Sequence, residues 1–256
     1  MSIKIGPAGL GSVKTALETL DKYHSLGFKA CEIAFTYGVY IKNEKDAKEI
    51  GKKAKELGIS LSIHAPYYIN LNSAEKEKRN VSKLRILNCC EVGEWLEAKR
   101  VVFHPGYYGK NKEEAYGNIR QEIIELMQEL NNKKWKIKLA PETMGKVNVF
   151  GSVEEIASLV KDTGCDFCID FAHILAREKN VDYKKVKKLF PQKEWHVHFS
   201  GIVYGDKGEK HHKSTEVEEW KQLFNNLPSK KEIVIVNESP TMIDDCVIGI
   251  KIVQKT

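Results

Sequence analysis

Six segments of this 256-residue chain carry a histidine or an acid at or beside the end of a short apolar run. They are Ser60-Leu61-Ser62-Ile63-His64, Val101-Val102-Phe103-His104, Ile137-Lys138-Leu139-Ala140-Pro141-Glu142, Phe167-Cys168-Ile169-Asp170, His196-Val197-His198-Phe199 and Ile233-Val234-Ile235-Val236-Asn237-Glu238. Side chains alternate along a strand. Leu61 and Ile63 oppose His64, Val101 and Phe103 oppose Val102 and His104, Ile137 and Leu139 oppose Glu142, Phe167 and Ile169 oppose Asp170, Val197 and Phe199 oppose His198, and Ile233 and Ile235 oppose Glu238. One such residue is usually a solvated loop neighbour; six converging at one place are not. Three carboxylates brought together repel, and cations are the economical way to hold them all ionised. A mixed imidazole and carboxylate set suits zinc or manganese better than magnesium or calcium. His173, three residues past Asp170, and Glu209-Lys210-His211-His212 extend the set. Of eight histidines, only His24 lies outside these segments.

The elements that must position these groups follow a regular alternation. Strands are expected over 3–7, 30–35, 60–65, 100–104, 136–142, 166–170, 194–199 and 233–238. Between them lie stretches of helical period, such as Ile119, Ile123, Leu126, Met127 and Leu130, or Val217, Trp220, Leu223, Phe224 and Leu227. Ser152 before Val153-Glu154-Glu155 is a helix cap by pattern. Gly27, Gly58 and Gly164 stand where helices should stop. Eight strands alternating with helices predict an α/β fold, a single (β/α)8 TIM barrel over 1–256. Its bulky strand faces would pack on the outer helices and the chemical groups would point inward, at the strand C-termini where barrel enzymes keep their chemistry. An open doubly wound sheet is the alternative, but Gly6-Pro7-Ala8-Gly9-Leu10-Gly11 lacks the spacing of its phosphate loop.

Composition excludes other classes. With 42% hydrophobic and 30% charged residues the chain is neither disordered nor fibrous. No apolar run reaches the roughly 18 residues of a membrane helix, and the first residues do not read as a signal peptide. A cytoplasmic location and reduced thiols at the six cysteines are the resulting expectation. The lone Cys165-x-x-Cys168 and the pair Cys89-Cys90 read as packing. Lys plus Arg outnumber Asp plus Glu by 41 to 35, a weak tilt toward an anionic partner. Only five of these are arginine, so phosphate contacts would fall mainly to lysine and backbone amides. Lys76, Lys78, Arg79, Lys110, Lys112, Lys207, Lys210 and Lys213 follow the third, fourth and seventh strands. His196 lies one layer below His198 and reads as core or support; Glu32 is inward by parity but early in its strand and receives no role. His211 and His212 are adjacent, so one of them is the ligand.

The pieces His64-Ala65-Pro66-Tyr67-Tyr68-Ile69-Asn70-Leu71, Phe103-His104-Pro105-Gly106, Pro141-Glu142-Thr143-Met144-Gly145, Cys168-Ile169-Asp170-Phe171-Ala172-His173, His198-Phe199-Ser200-Gly201, Glu209-Lys210-His211-His212 and Asn237-Glu238-Ser239-Pro240 together resemble endonuclease IV. This is the zinc-dependent apurinic/apyrimidinic endonuclease family, with a xylose-isomerase-like barrel. The motifs stand in family order over about 59–240.

The resemblance implies a monomeric DNA-repair enzyme that hydrolyses the phosphodiester 5′ to an abasic site in damaged double-stranded DNA, with 3′-end phosphodiesterase activity besides. It implies three zinc ions, with manganese the alternative. His64, His104 and Glu142 would hold the first, and Glu142 would bridge to a second held by Asp170, His198 and Glu238. His173, His211 and Glu209 would hold the third; the family's bacterial members carry Asp where this chain has Glu209. Glu142 would also position the attacking hydroxide, made available at neutral pH by the metal. Tyr67, with Tyr68 beside it, would contact DNA and fill the stack left by a flipped nucleotide. After the second strand, where some relatives carry an Arg that enters the duplex, this chain has Phe35-Thr36-Tyr37-Gly38-Val39-Tyr40, and Tyr37 is the alternative wedge. The rival reading is a single-metal sugar isomerase or epimerase on the same barrel. Glu142, Asp170, His198 and Glu238 would serve it; His64, His104, His173 and His211 would be surplus.

Overall fold

A computed structural model describes residues 2–254; Met1, Lys255 and Thr256, the ends of the expected 1–256 span, lie outside the described residues. The barrel strands are β1 (Ser2–Pro7), β2 (Ala30–Ala34), β3 (Ser60–His64), β4 (Arg100–Phe103), β5 (Lys138–Pro141), β6 (Ile169–Asp170) and β7 (Glu194–Phe199). After them come a hairpin, β8 (Gly201–Gly205) and β9 (Gly208–Lys213), and the last barrel strand, β10 (Glu232–Asn237). Among the described strands all pairings are parallel except β8 with β9, with orders β1-β10-β7-β6 and β2-β3-β4-β5. Single bridges join the two arcs at Ala8–Glu32 and Glu142–Cys168, closing the ring. The expected TIM barrel is the fold of the protein.

The helices are α1 (Ala16–Ser25), α2 (Glu44–Glu56), α3 (Lys76–Trp95), α4 (Lys112–Asn132), α5 (Val153–Thr163), α6 (Phe171–Glu178), α7 (Tyr183–Leu189), α8 (Val217–Asn226) and α9 (Met242–Val253). They cover the outward strand faces, where Leu61, Ile63, Val101, Phe103, Leu139 and Val197 join one large buried core. Burying each such side chain stabilises by about 1.5–3 kcal/mol. The inward apolar residues Val102, Ala140 and Cys168 form a separate small cluster, one step below His104, Glu142 and Asp170. Strand parity therefore sorts two cores, and the inner one is the floor of the site.

Ser152 accepts from the Glu155 amide in a capping box that starts α5. Gly164 ends that helix at φ 75°, a conformation glycine adopts without steric cost. Several expectations change. Of the strand expected over 166–170 only Ile169–Asp170 forms, and the one expected from 136 begins at Lys138. The strands ending at His104, Glu142 and Glu238 stop one residue earlier, so these groups stand on the first loop residue. The 201–213 segment, expected as a loop, folds into the hairpin β8–β9, and Gly208 takes φ 93° at its turn.

The β1–β2 seam has a hydrogen bond from the Lys29 amide to the Ile5 carbonyl, 3.0 Å. A Cβ on Gly6 would lie 1.6 Å from the Ala30 carbonyl oxygen. Gly6→Ala must therefore push the strands β1 and β2 apart, and a loss of more than about 2 kcal/mol is expected in denaturant unfolding. Gly117→Ala, exposed in α4 with nothing near its added methyl, should instead gain about 0.5–1 kcal/mol. Equal effects at the two positions would contradict the seam.

Candidate metal centre

Glu142 is fully buried at the centre of the barrel mouth and meets four imidazoles. Its Oε2 lies 3.2 Å from His64 Nε2 and 3.1 Å from His104 Nε2. Its Oε1 lies 3.2 Å from His198 Nδ1 and 3.3 Å from His173 Nδ1. Glu238 Oε2 stands 3.4 Å from His198 Nδ1, and Asp170 Oδ2 stands 3.4 Å from His173 Nδ1. Donor atoms of Glu142, Asp170, His198 and Glu238 all lie within 4.8 Å of one another, as do those of His64, Glu142 and His198. Asp170 Oδ2 is buried with no hydrogen-bond partner. An unpartnered carboxylate oxygen facing this donor set is the chemistry a cation satisfies, so the residues present fit a metal.

A third group comprises His173, Glu209 and His212, with Glu209 Oε2 3.5 Å from His173 Nε2. Here the structure corrects the sequence reading: His212, not His211, faces the site, and His211 is exposed. Plain alternation would set Glu209 and His211 on one face. The hairpin instead pairs Tyr204 with Glu209 and Val203 with His211, leaving Lys210 bulged. One extra residue reverses the parity, so Glu209 and His212 come together. Gly145 makes room for them, since a Cβ there would lie 2.8 Å from the Glu209 Cβ.

The far nitrogens of several imidazoles are already held. His64 Nδ1 lies 2.7 Å from the Ala65 carbonyl, His173 Nδ1 lies 3.0 Å from the Thr143 carbonyl, and His212 Nδ1 lies 2.5 Å from Ser200 Oγ. Once the rings are neutral, donation to the carbonyls leaves Nε2 of His64 and His173 with its lone pair toward the mouth. Asp170 caps α6, accepting from the His173 amide at 2.7 Å. Arg177 donates to the Lys146 and Val149 carbonyls at 2.6 and 2.9 Å, bracing the loop that brings Lys146 to the mouth.

Charge crowding sets the protonation. Burial pushes the Glu142 carboxyl up, but the charge of His198 and the bonds from His104, His173 and His198 outweigh it and hold the group well below its usual range. Asp170 goes the other way: burial and the like charges of Glu142 and Glu238 raise it against the pull of His173. Burial lowers both His173 and His198, yet neighbouring acidic groups win and raise them well above 6.5. His104 is lowered, because there burial prevails.

The tyrosines divide. Tyr67 stacks on His104, with centroids 5.3 Å apart and planes at 19°, and stays half exposed above the mouth. Tyr68 is pinned, its hydroxyl donating to the Tyr37 carbonyl and its ring lying under Arg85 at 4.2 Å. Tyr37 is 90% exposed. Tyr107 and Lys146, which sequence reasoning missed, line the same cleft of about 350 Å³; each stands one residue beyond a motif, after Gly106 and Gly145. Arg79 is bound to Glu122 at 3.0 Å and to the Ser73 carbonyl rather than facing solvent as a loop cation. Among the described residues no helix is long and apolar enough to cross a membrane.

Residues 20–242 match the model of the family described as xylose isomerase-like TIM barrel. The chain is similar to an uncharacterized protein of Methanocaldococcus jannaschii, 36% identical over 229 residues, with 81% of this chain and 80% of that protein covered. It is also similar to a "Probable endonuclease 4" of Thermoplasma volcanium, 30% identical over 148 residues, covering 56% of this chain and 50% of the relative. The match thus spans about half the length of that relative. The endonuclease IV resemblance carried by the motifs is met by several relatives of that name. In solved structures the fold recurs in SacUVDE (16% identity, TM-score 0.78, 100% of this chain and 98% of that one). It recurs in endonuclease IV from Thermus thermophilus (18%, 0.71, 99% and 97%) and in L-ribulose 3-epimerase (13%, 0.72, 99% and 93%). At these identities the likeness is one of fold.

The raised histidines generate a pH dependence in the chelated protein. A group whose folded value is raised contributes stability that is full below its unfolded value and fades as pH climbs through the folded one. For His173 and His198 the unfolded value is about 6.5. The melting temperature of metal-stripped protein should fall as pH rises above that value. Added zinc should remove the fall, because ligated imidazoles carry no proton to lose. A melting temperature that climbs through the alkaline range without metal would contradict the assignment.

Proposed function

The chain belongs to the xylose isomerase-like TIM barrel family, and from that premise we propose that it is a metal-dependent DNA-repair endonuclease. Its reaction is hydrolysis of the phosphodiester 5′ to an abasic site in duplex DNA, leaving a 3′-hydroxyl, with trimming of blocked 3′ ends as a second activity. The observation that carries this reading is the excess of imidazoles: His64, His104, His173 and His212 surround the four-residue group of Glu142, Asp170, His198 and Glu238. The relatives named endonuclease 4 support it.

His64, His104 and Glu142 would hold one zinc ion, Glu142, Asp170, His198 and Glu238 a second, and His173, Glu209 and His212 a third. Bound there, the ions supply Lewis-acid charge to the phosphate and an acidified water at neutral pH. The chain's own residues do the rest. Glu142 spans the first two sets with its two oxygens. Four carboxylates against three divalent ions leave about two positive charges at the mouth, which suits a phosphodiester anion. Lys146 adds a cation beside it. Tyr67, stacked on His104 and half exposed, would offer its ring as a platform for a DNA base.

The second reading is a single-metal sugar epimerase, favoured by the intact Glu142, Asp170, His198 and Glu238 group and the shared fold. It leaves the other imidazoles idle. One experiment separates the two. His104→Ala should lower cleavage of an abasic duplex at least about a hundredfold through loss of a ligand. Tyr67→Ala should keep its metal and weaken duplex binding about tenfold. Wild-type activity in His104→Ala, or ketose epimerisation with no abasic cleavage in the native protein, would overturn the nuclease reading.

A further inference from the structure

Beneath the metal centre, inside the barrel, Glu32 projects from β2 with no exposure to solvent. Its Oε2 accepts from Ser62 Oγ at 2.8 Å and lies 3.1 Å from His196 Nε2. Its Oε1 lies 2.9 Å from His198 Nε2. The two atoms stand within hydrogen-bond reach of each other, and both Oε1 and His198 Nε2 are buried with no other partner to satisfy them. His198 thus has one nitrogen, Nδ1, in the mouth against Glu142 and Glu238, and the other against a buried acid.

We infer that Glu32 is a positioning residue for the metal centre: its Oε1 is the acceptor for His198 Nε2–H, which keeps the proton on that nitrogen and leaves the lone pair of Nδ1 toward the cations. The inference rests on the metal-dependent reading above. Its logic is that of the neighbouring ligands, whose far nitrogens are held by the Ala65 and Thr143 carbonyls and by Ser200. For His198 the far partner is instead a carboxylate. An acid in that place fixes the tautomer and raises the basicity of the opposite nitrogen. It is a costly residue to bury, and Ser62 and His196 hold it in the one orientation that aims Oε1 at His198. The same arrangement explains why His196 is buried yet stays out of the mouth. The competing possibility is a further ion held lower down, since Cys168, His196 and His198 also offer atoms within 4.8 Å of one another.

The full chain is tested with zinc alone as the probe. Affinity is read by competition with a chromophoric chelator, and the imidazole nitrogens of His198 by long-range proton–nitrogen NMR on histidine-labelled protein. Glu32→Ala should weaken zinc binding by about 10–100-fold and abolish the slowly exchanging Nε2 proton of His198. Glu32→Gln, nearly isosteric and so the safeguard if the alanine variant does not fold, should keep that proton. Its resonance should move upfield, because the acceptor has lost its charge, and the affinity loss should be the smaller of the two. An Nε2 resonance unmoved in Glu32→Gln, or wild-type affinity in Glu32→Ala, overturns the inference and leaves the metal-dependent reading intact. An ion lost from the native complement in Cys168→Ser also overturns it, since Nε2 would then be a ligand. A native protein that takes up no zinc overturns both.

Discussion

Several carboxylates are confined in one small space away from water, and the rest of the site answers that crowding. Glu142 is enclosed by four imidazoles, Asp170 has an oxygen with no partner, and Glu238 approaches the same ring of His198. Without cations, His173 and His198 answer the acids by favouring their protonated forms, which is why both are raised while Glu142 is lowered. With cations, the same groups become ligands and need no protons. The arrangement is costly as a protein core and economical as a metal cage.

The barrel makes that crowding possible. Parallel strands of one ring deliver their last inward side chains to one opening, and the floor below is kept small by Val102, Ala140 and Cys168. Closure depends on two narrow seams, one of them at Glu142 itself, which bridges to Cys168. The central acid therefore also belongs to the wall. The hairpin β8–β9 then folds over one side of the mouth, anchored where Glu209 donates its amide to the Gly145 carbonyl at 3.1 Å.

Much of this was legible in the sequence because period-two alternation in a buried parallel strand leaves few choices of face. His64, His104, Glu142, Asp170, His198 and Glu238 could be assigned to the interior on parity alone. What parity cannot reveal is a change of register. The bulge at Lys210 exchanges His211 for His212, and Glu209-Lys210-His211-His212 reads equally well either way. Depth is also hidden. Glu32 was inward by parity, but its partner His198 lies 166 positions away in sequence, and only closure of the ring brings them to 2.9 Å. Tyr107 and Lys146 belong to loops whose course is fixed by Arg177 and by turns, not by any periodic pattern.

The fold alone does not choose a chemistry: SacUVDE, an endonuclease IV and an epimerase share it with this chain at similar likeness. The choice lies in the donors added around a common four-residue group, and in how many ions they hold. Elemental analysis of the native, unchelated protein tests this most directly. The account predicts about three zinc ions per chain, with the count falling by one when Glu209 and His212 are both replaced by alanine. A single manganese ion per chain, unaffected by that double replacement, would contradict it.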